Sequence, residues 1–168
     1  AIQEKYNEPG RFTTLIGYEW TSMPGGGDNL HRNVIYRDGK DKADQMTPYT
    51  TFDSENPEDL WKWMQAWQDK TGGQVLAIPH NGNVSNGRMF TLSSFLGNPM
   101  TRDYAEARAR WEPLYEVTQI KGDGETHPSL SPNDEFANFE RWDTQNLNAK
   151  PKSPEMIKTE YARQALKD

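Results

Sequence analysis

The sequence predicts an α/β fold with mostly parallel strands and flanking helices. Residues 12–20 and 32–37 are rich in β-branched and aromatic side chains, which is typical of strands. A helix signal follows at residue 56, and the apolar run 74–79 (QVLAIP) comes directly after that helix. A strand, a helix and a second strand in this order are typical of a βαβ unit, which gathers ligands at the carboxyl ends of its parallel strands.

The helix that begins at Asn56 has clear boundary signals. Asn56 is a good N-cap, Pro57 suits the first helical position, and two acidic residues follow near the positive end of the helix dipole. Gly72 and Gly73 indicate its end. Four apolar residues at helical spacing are expected in the core rather than at a ligand: Leu60, Trp61, Met64 and Trp67.

The second half of the chain is predicted to contain further helices and one more strand. Residues 101–112 have an amphipathic helical pattern, and the run 114–120 (LYEVTQI) is typical of a third parallel strand. Further helices are predicted at residues 134–142 and 153–167, with a linker at 150–153.

The composition excludes several classes of function. A net charge of −6 and a pI near 5.1 argue against binding to nucleic acid or to an anionic membrane surface. The absence of cysteine excludes disulfides, thiolate zinc sites and cysteine nucleophiles. Only 33% of residues are hydrophobic, but six Trp, seven Tyr and six Phe can build a core. No signal peptide or membrane span is visible, which leaves both an exported and a cytoplasmic location open.

Three residues at predicted strand ends form a candidate metal-ligand set. Glu19 lies near the end of the first strand, His31 precedes the second, and His80 follows the apolar run 74–79. A mixed set of carboxylate and imidazole donors is what a hydrolytic metal site requires. The alternatives are a Glu19 that faces solvent or pairs with arginine, and a structural role for His31.

A polar loop after His80 and a lysine further along are candidate substrate contacts. The loop residues are small amides and a hydroxyl, and with the lysine the set is Asn81, Asn83, Ser85, Asn86 and Lys121. Neutral donors could orient an anionic or hydroxylated ligand, and the lysine could contact a phosphate. An ordinary Asn/Gly turn explains the loop equally well. No residue is assigned a catalytic role, and the sequence shows neither a Walker loop nor a Ser-His-Asp nucleophile motif.

The order of segments resembles a known superfamily. GYEWT, LHRNVIYRDG, LWKWM, AIPHNGNVSNGRMF and YEVTQIKGDGE look like the middle of the PHP (polymerase and histidinol phosphatase) superfamily, in particular a bacterial branch that is a domain of unknown function. The resemblance spans about residues 8–127. It implies a distorted (β/α)7 barrel that binds two or three ions of Zn, Mn or Fe and hydrolyses phosphoesters. On that resemblance Glu19, His31 and His80 match metal ligands.

The resemblance is incomplete, because the His-x-His and Asp-x-His motifs of the superfamily do not occur in this chain. We therefore expect residues 1–168 to be a single PHP-like domain segment from a longer protein. The parent is expected to be a metal-dependent phosphoesterase with a small-molecule substrate. The segment alone is expected to bind metal weakly, to be inactive, and to form a homodimer through exposed strand edges. The alternatives are a noncatalytic module that binds a ligand or protein, and an inactive folding fragment.

Overall fold

A three-stranded antiparallel sheet lies at the centre of the fold. In this computed structural model, which describes residues 2–167, the sheet consists of β1 (Ile16–Trp20), β2 (Arg32–Tyr36) and β3 (Val75–Pro79), in that spatial order. Both neighbouring pairs are antiparallel. The prediction of mostly parallel strands forming part of a (β/α)7 barrel is therefore wrong: within residues 2–167 the sheets are small and no barrel closes.

The remaining elements are short, apart from two helices. The helices are α1 (Ile2–Tyr6), α2 (Pro24–Gly27), α3 (Lys40–Ala43), α4 (Pro57–Thr71), α5 (Arg102–Trp111) and α6 (Ala162–Ala165), with 3₁₀ turns at Gly82–Val84 and Met156–Thr159. A second sheet is formed by β4 (Thr118–Gln119) and β5 (Gly122–Asp123), which are antiparallel. Among the residues described, no helix is both long enough and apolar enough to cross a lipid bilayer.

The path between β2 and β3 explains why the expected βαβ unit does not form. After β2 the chain passes through α3 and an irregular stretch, and the Ser22 hydroxyl donates to the Glu55 carbonyl at 2.8 Å. The irregular stretch thus carries the chain back beside the end of β1 before α4 begins. Helix α4 then runs the length of the sheet again, and the Arg37 N–H donates to the Gln74 carbonyl at 2.9 Å. This extra crossing makes β3 antiparallel to β2.

Helix α4 has the boundaries that the sequence predicts. The Asn56 side chain accepts a hydrogen bond from the Glu58 N–H at 3.0 Å, which satisfies one of the free amides of the first turn. Pro57 lies at the first position, and Gly72 ends the helix in the left-handed conformation with a φ of 64°. Local residue choice is sufficient to specify this element.

The hydrophobic core lies where α4, α5 and the sheet meet. The expected core residues of α4 are buried, and the Trp67 ring packs 5.0 Å from that of Tyr36 on β2. The Trp61 ring packs 5.5 Å from that of Tyr104 on α5. The cluster of buried residues includes Trp20, Val34, Tyr36, Leu60, Trp61, Met64, Trp67, Val75 and Trp111. This core holds in place the end of the sheet at which the candidate site lies.

A buried ion pair connects α5 to the beginning of β2. The Arg32 Nε lies 2.9 Å from the Glu112 Oε1, and both side chains are 1% exposed. Trp61 Nε1 donates to the same oxygen at 2.9 Å, and Arg108 Nε lies 3.2 Å from the other oxygen. Burial alone would raise the pKa of Glu112, but the guanidinium groups of Arg32 and Arg108 hold it below its ordinary value. The pair therefore holds β2 in place next to His31.

Three predictions for the second half are wrong. Residues 114–120 contain the two-residue strand β4 and no parallel strand, residues 134–142 form turns, and residues 153–167 contain a 3₁₀ turn and α6 in place of one long helix. In each case the backbone bonds to distant segments. The Asp123 N–H donates to the Glu140 carbonyl at 2.9 Å, and the Ala162 N–H donates to the Gly124 carbonyl at 3.0 Å. The helix predicted at residues 101–112 is confirmed as α5, with a Thr101 cap.

Candidate metal centre

The candidate metal ligands lie together at one edge of the three-stranded sheet, namely the edge formed by the ends of its strands. Because the strands alternate in direction, β1 ends, β2 begins and β3 ends at the same edge. Glu19 is the fourth residue of β1, His31 directly precedes β2, and His80 directly follows β3. The His80 N–H donates to the His31 carbonyl at 3.4 Å, which extends the β2–β3 pairing by one step. The prediction that these side chains converge is confirmed, although antiparallel strands bring them together.

One carboxylate oxygen lies between the two imidazoles. Glu19 Oε1 is 2.9 Å from His31 Nδ1 and 3.1 Å from His80 Nε2. The two rings meet edge to face with centroids 5.6 Å apart. One donor atom from each residue lies within 4.8 Å of the other two. The histidines thus offer different ring nitrogens to a common point.

Two of the three donor pairs have a spacing close to that of ligands on a divalent ion. Donor atoms about 2.05 Å from a tetrahedral zinc are about 3.3 Å from one another. The two observed carboxylate–imidazole distances, 2.9 and 3.1 Å, are slightly shorter. The three donor atoms lie within 4.8 Å of one another, and binding an ion would require the Glu19 carboxylate to move from its place between the two rings. The oxygen and nitrogen donors also suit zinc, manganese and iron.

Burial of the three side chains is uneven. The His31 and His80 side chains are 10% and 6% exposed, whereas that of Glu19 is 45% exposed. Burial lowers the pKa of His31 to about 4, although the adjacent Glu19 carboxylate opposes this effect. His31 is therefore neutral at pH 7, which is the form that binds a metal ion.

A neighbouring asparagine holds the His31 backbone, and one nitrogen of each imidazole is unpaired within the described part of the chain. The Asn29 side chain accepts from the His31 backbone N–H at 2.7 Å, and the Asn29 N–H donates to the Val84 carbonyl at 3.1 Å. His31 Nε2 and His80 Nδ1 are buried and have no hydrogen-bond partner among residues 2–167. Metal-binding histidines ordinarily donate through the second nitrogen. These two positions are the feature in which this set departs from a complete metal centre.

The predicted polar loop has two kinds of residue. Asn83 Nδ2 donates to the carbonyls of Lys121 and Trp142 at 2.8 and 2.9 Å, and Ser85 Oγ accepts from the Met89 N–H at 3.1 Å. Asn83 and Ser85 are fully buried, so these bonds hold the loop in shape.

Asn81 and Asn86 differ from these loop-holding residues. Both have a left-handed backbone, with φ of 54° and 49°. Their side-chain amides are buried without a hydrogen-bond partner in the described part of the chain. Lys121 is half-buried, and its charge helps to lower the pKa of His31. Asn83 Oδ1 is also buried without a partner among residues 2–167. The role of the predicted substrate contacts stays a prediction: Asn81, Asn83, Ser85, Asn86 and Lys121.

Two polar arrangements were not anticipated from the sequence. Under the loop, Lys152 Nζ lies 2.5 Å from Glu160 Oε1 with both side chains buried, and Glu160 accepts from the Gly87 N–H at 3.0 Å. Burial raises the pKa of Glu160 to about 7 although Lys152 opposes the shift. The third histidine, His127, contacts Asp143. The sequence gives no signal for either arrangement, because both depend on turns that bring distant segments together.

The comparisons with known proteins give the family. A model for the family described as "Protein of unknown function (DUF3604)" matches residues 1–168, so the chain belongs to this family. No curated protein and no solved structure matches the chain.

Proposed function

We propose that this chain carries a metal site of a metal-dependent hydrolase that cleaves phosphoesters, as its resemblance to the PHP superfamily implies. The observation that supports this proposal is the convergence of donor atoms from Glu19, His31 and His80 within 4.8 Å. Sets of acidic and histidine side chains also occur on protein surfaces without a metal. Here, however, both imidazoles are buried and one is held neutral by that burial.

The candidate ligands and substrate contacts would have different roles in the proposed reaction. His31 and His80 would hold the ion through neutral nitrogens, and Glu19 would contribute a negative charge that offsets the charge of the ion. A divalent ion at this site would act as a Lewis acid and would lower the pKa of the water bound to it to near neutrality. Lys121 is a cation that can attract a phosphate group. The amides of Asn81 and Asn86 are buried without a partner among residues 2–167, so they could hydrogen-bond a substrate only after a movement of the loop.

Three donors are enough for one ion but few for the two-metal mechanism of phosphoester cleavage. We therefore expect weak binding of zinc or manganese by the 168-residue chain and little turnover of p-nitrophenyl phosphate. Turnover comparable to that of an intact PHP enzyme would contradict this expectation. The predicted phosphoester substrate depends on the same resemblance, whereas the predicted homodimer depends on an exposed strand edge of the sheet.

The proposal is tested by titrating chelator-treated protein with Zn²⁺ and Mn²⁺ in a calorimeter. The wild-type chain should bind one ion, and Glu19→Gln and His80→Gln should each weaken binding at least about tenfold. Glu106→Gln is the matched control, because Glu106 is an exposed carboxylate on α5 that pairs with Arg102. Wild-type protein that binds no ion, or a Glu19→Gln variant that binds as well as wild type, would overturn the proposal and favour a noncatalytic binding module.

A further inference from the structure

His127 lies between a serine and an aspartate, outside the set of candidate metal ligands. Ser129 Oγ is 2.7 Å from His127 Nδ1, and Asp143 Oδ2 is 2.8 Å from His127 Nε2. His127 is 7% exposed, and its ring packs 5.5 Å from the ring of Tyr161. Ser129 itself is exposed. The hydroxyl of an exposed serine thus contacts a buried imidazole whose other nitrogen meets a carboxylate.

The hydrogen bonds determine which ring nitrogen carries the proton. The Ser129 backbone N–H points to His127 Nδ1 at 3.1 Å, and an N–H group can only donate. In the neutral ring Nδ1 therefore has the lone pair, and Nε2 carries the hydrogen that is donated to Asp143. A lone pair on Nδ1 is what a base needs in order to accept the proton of the Ser129 hydroxyl.

The carboxylate is positioned by the fold rather than by the local turn. Asp143 is 16 residues from His127. Its neighbours are fixed from both sides: the Trp142 carbonyl accepts from Asn83 Nδ2 at 2.9 Å, and the Thr144 carbonyl accepts from the Lys152 N–H at 3.0 Å. Arg141 Nε lies 3.3 Å from the same Asp143 oxygen. The charge on the carboxylate is thus shared between the imidazole and a guanidinium.

We propose that Ser129 is an activated nucleophile that takes an acyl group from a carboxylic ester. The Ser129 Oγ attacks the carbonyl carbon, a bond forms between them, and the bond from that carbon to the alcohol oxygen breaks. The hydroxyl proton moves to His127 Nδ1 and then to the departing oxygen, while Asp143 orients the ring. Serine, base and orienting acid have the roles of the Ser-His-Asp triad, with the two ring nitrogens exchanged.

A fluorophosphonate tests this proposal, because it forms a stable adduct with activated serines. The Oγ–P bond forms, the P–F bond breaks, and fluoride leaves together with the hydroxyl proton. The full chain is labelled in the presence of EDTA, so that the extent of labelling does not depend on a metal at Glu19, His31 and His80. One adduct per chain, mapped to Ser129 by peptide mass spectrometry, is the expected result.

Ser131 provides a matched control within the same turn. Its hydroxyl contacts Thr126 Oγ1 at 2.8 Å, and within residues 2–167 no hydrogen bond joins it to an imidazole. Ser131→Ala should leave the labelling rate unchanged, Ser129→Ala should abolish labelling, and Asp143→Asn should slow it at least about tenfold. Circular dichroism establishes that each variant is folded. If Asp143→Asn fails to fold, the ratio of labelling at Ser129 to that at Ser131 in the wild-type chain decides the question.

A purely structural turn gives a different result. In that case Ser129 would react no faster than Ser131, or a folded Asp143→Asn variant would react as fast as wild type. Either outcome, or the absence of any adduct at Ser129, would overturn the proposal. None of them would affect the metal proposal, which is read out by calorimetry on other residues.

Discussion

Replacing Glu112 with glutamine should destabilise the fold strongly. The substitution preserves size and the oxygen that accepts from Trp61 Nε1, but it removes the charge that faces Arg32. Arg32 is 1% exposed and would remain buried without a counter-charge, although its Nη1 still donates to the Leu30 carbonyl. Breaking a buried ion pair in this way costs about 3–5 kcal/mol, and the retained hydrogen bonds give an expected value of about 3 kcal/mol.

The assay is urea unfolding followed by tryptophan fluorescence, since Trp61 contacts the substituted group. Glu106→Gln serves as the control on the same helix; it removes an exposed pair with Arg102 and should cost less than about 0.5 kcal/mol. A loss below about 1 kcal/mol for Glu112→Gln would refute the reasoning, because it would mean that Arg32 finds water or another partner.

The ion pair between Arg32 and Glu112 should also make the free energy of unfolding depend on pH. The folded protein holds the pKa of Glu112 below its ordinary value of 4.5. Folding therefore favours the ionised form, so the stabilisation is complete above that value and is lost as the pH falls through the lower pKa of the folded state. The difference in stability between wild type and Glu112→Gln should shrink below about pH 4.5. A difference that stays constant down to pH 3 would contradict this assignment.

Three further predictions concern the core, a helix cap and association. Leu60→Ala should lower the free energy of unfolding by about 2–5 kcal/mol in urea, because Leu60 is fully buried; a smaller loss would mean that the core collapses around the cavity. Asn56→Ala should cost about 1 kcal/mol in the same assay, whereas Asn56→Asp should retain the cap, and equal effects would exclude the capping bond. β1 is an edge strand of the sheet, so we expect light scattering at micromolar concentration to give twice the 19.3 kDa mass of one chain; a mass of 19.3 kDa would count against pairing through that edge.

Local signals were sufficient for α4 and for the position of β2 and β3. The cap at Asn56 and the left-handed Gly72 are set by neighbouring residues, and both could be predicted from the sequence. The direction of β3 could not, since an apolar run carries no information about whether its neighbour is parallel or antiparallel. The deciding feature is the irregular path after α3, which contacts the end of β1 through Ser22.

The candidate site, like the fold, could be predicted only in part from the sequence. Glu19, His31 and His80 could be assigned to one edge because each lies at or next to a strand end. The contact between His127 and Asp143 could not be anticipated, because it depends on turns in the second half of the chain. Glu140, with a φ of 45°, has a backbone conformation that a helical pattern at residues 134–142 does not predict.

The uneven burial of the three donors also has a kinetic consequence. His31 and His80 are almost enclosed, while nearly half of the Glu19 side chain faces solvent. An ion that binds at the proposed site would therefore meet the carboxylate first and reach the imidazoles afterwards. It would leave by the same route, so the Glu19 side chain would have to rotate before the ion could exchange with solvent. The rate at which a bound ion exchanges with solvent would then depend on Glu19 as well as on the affinity of the two histidines for the ion.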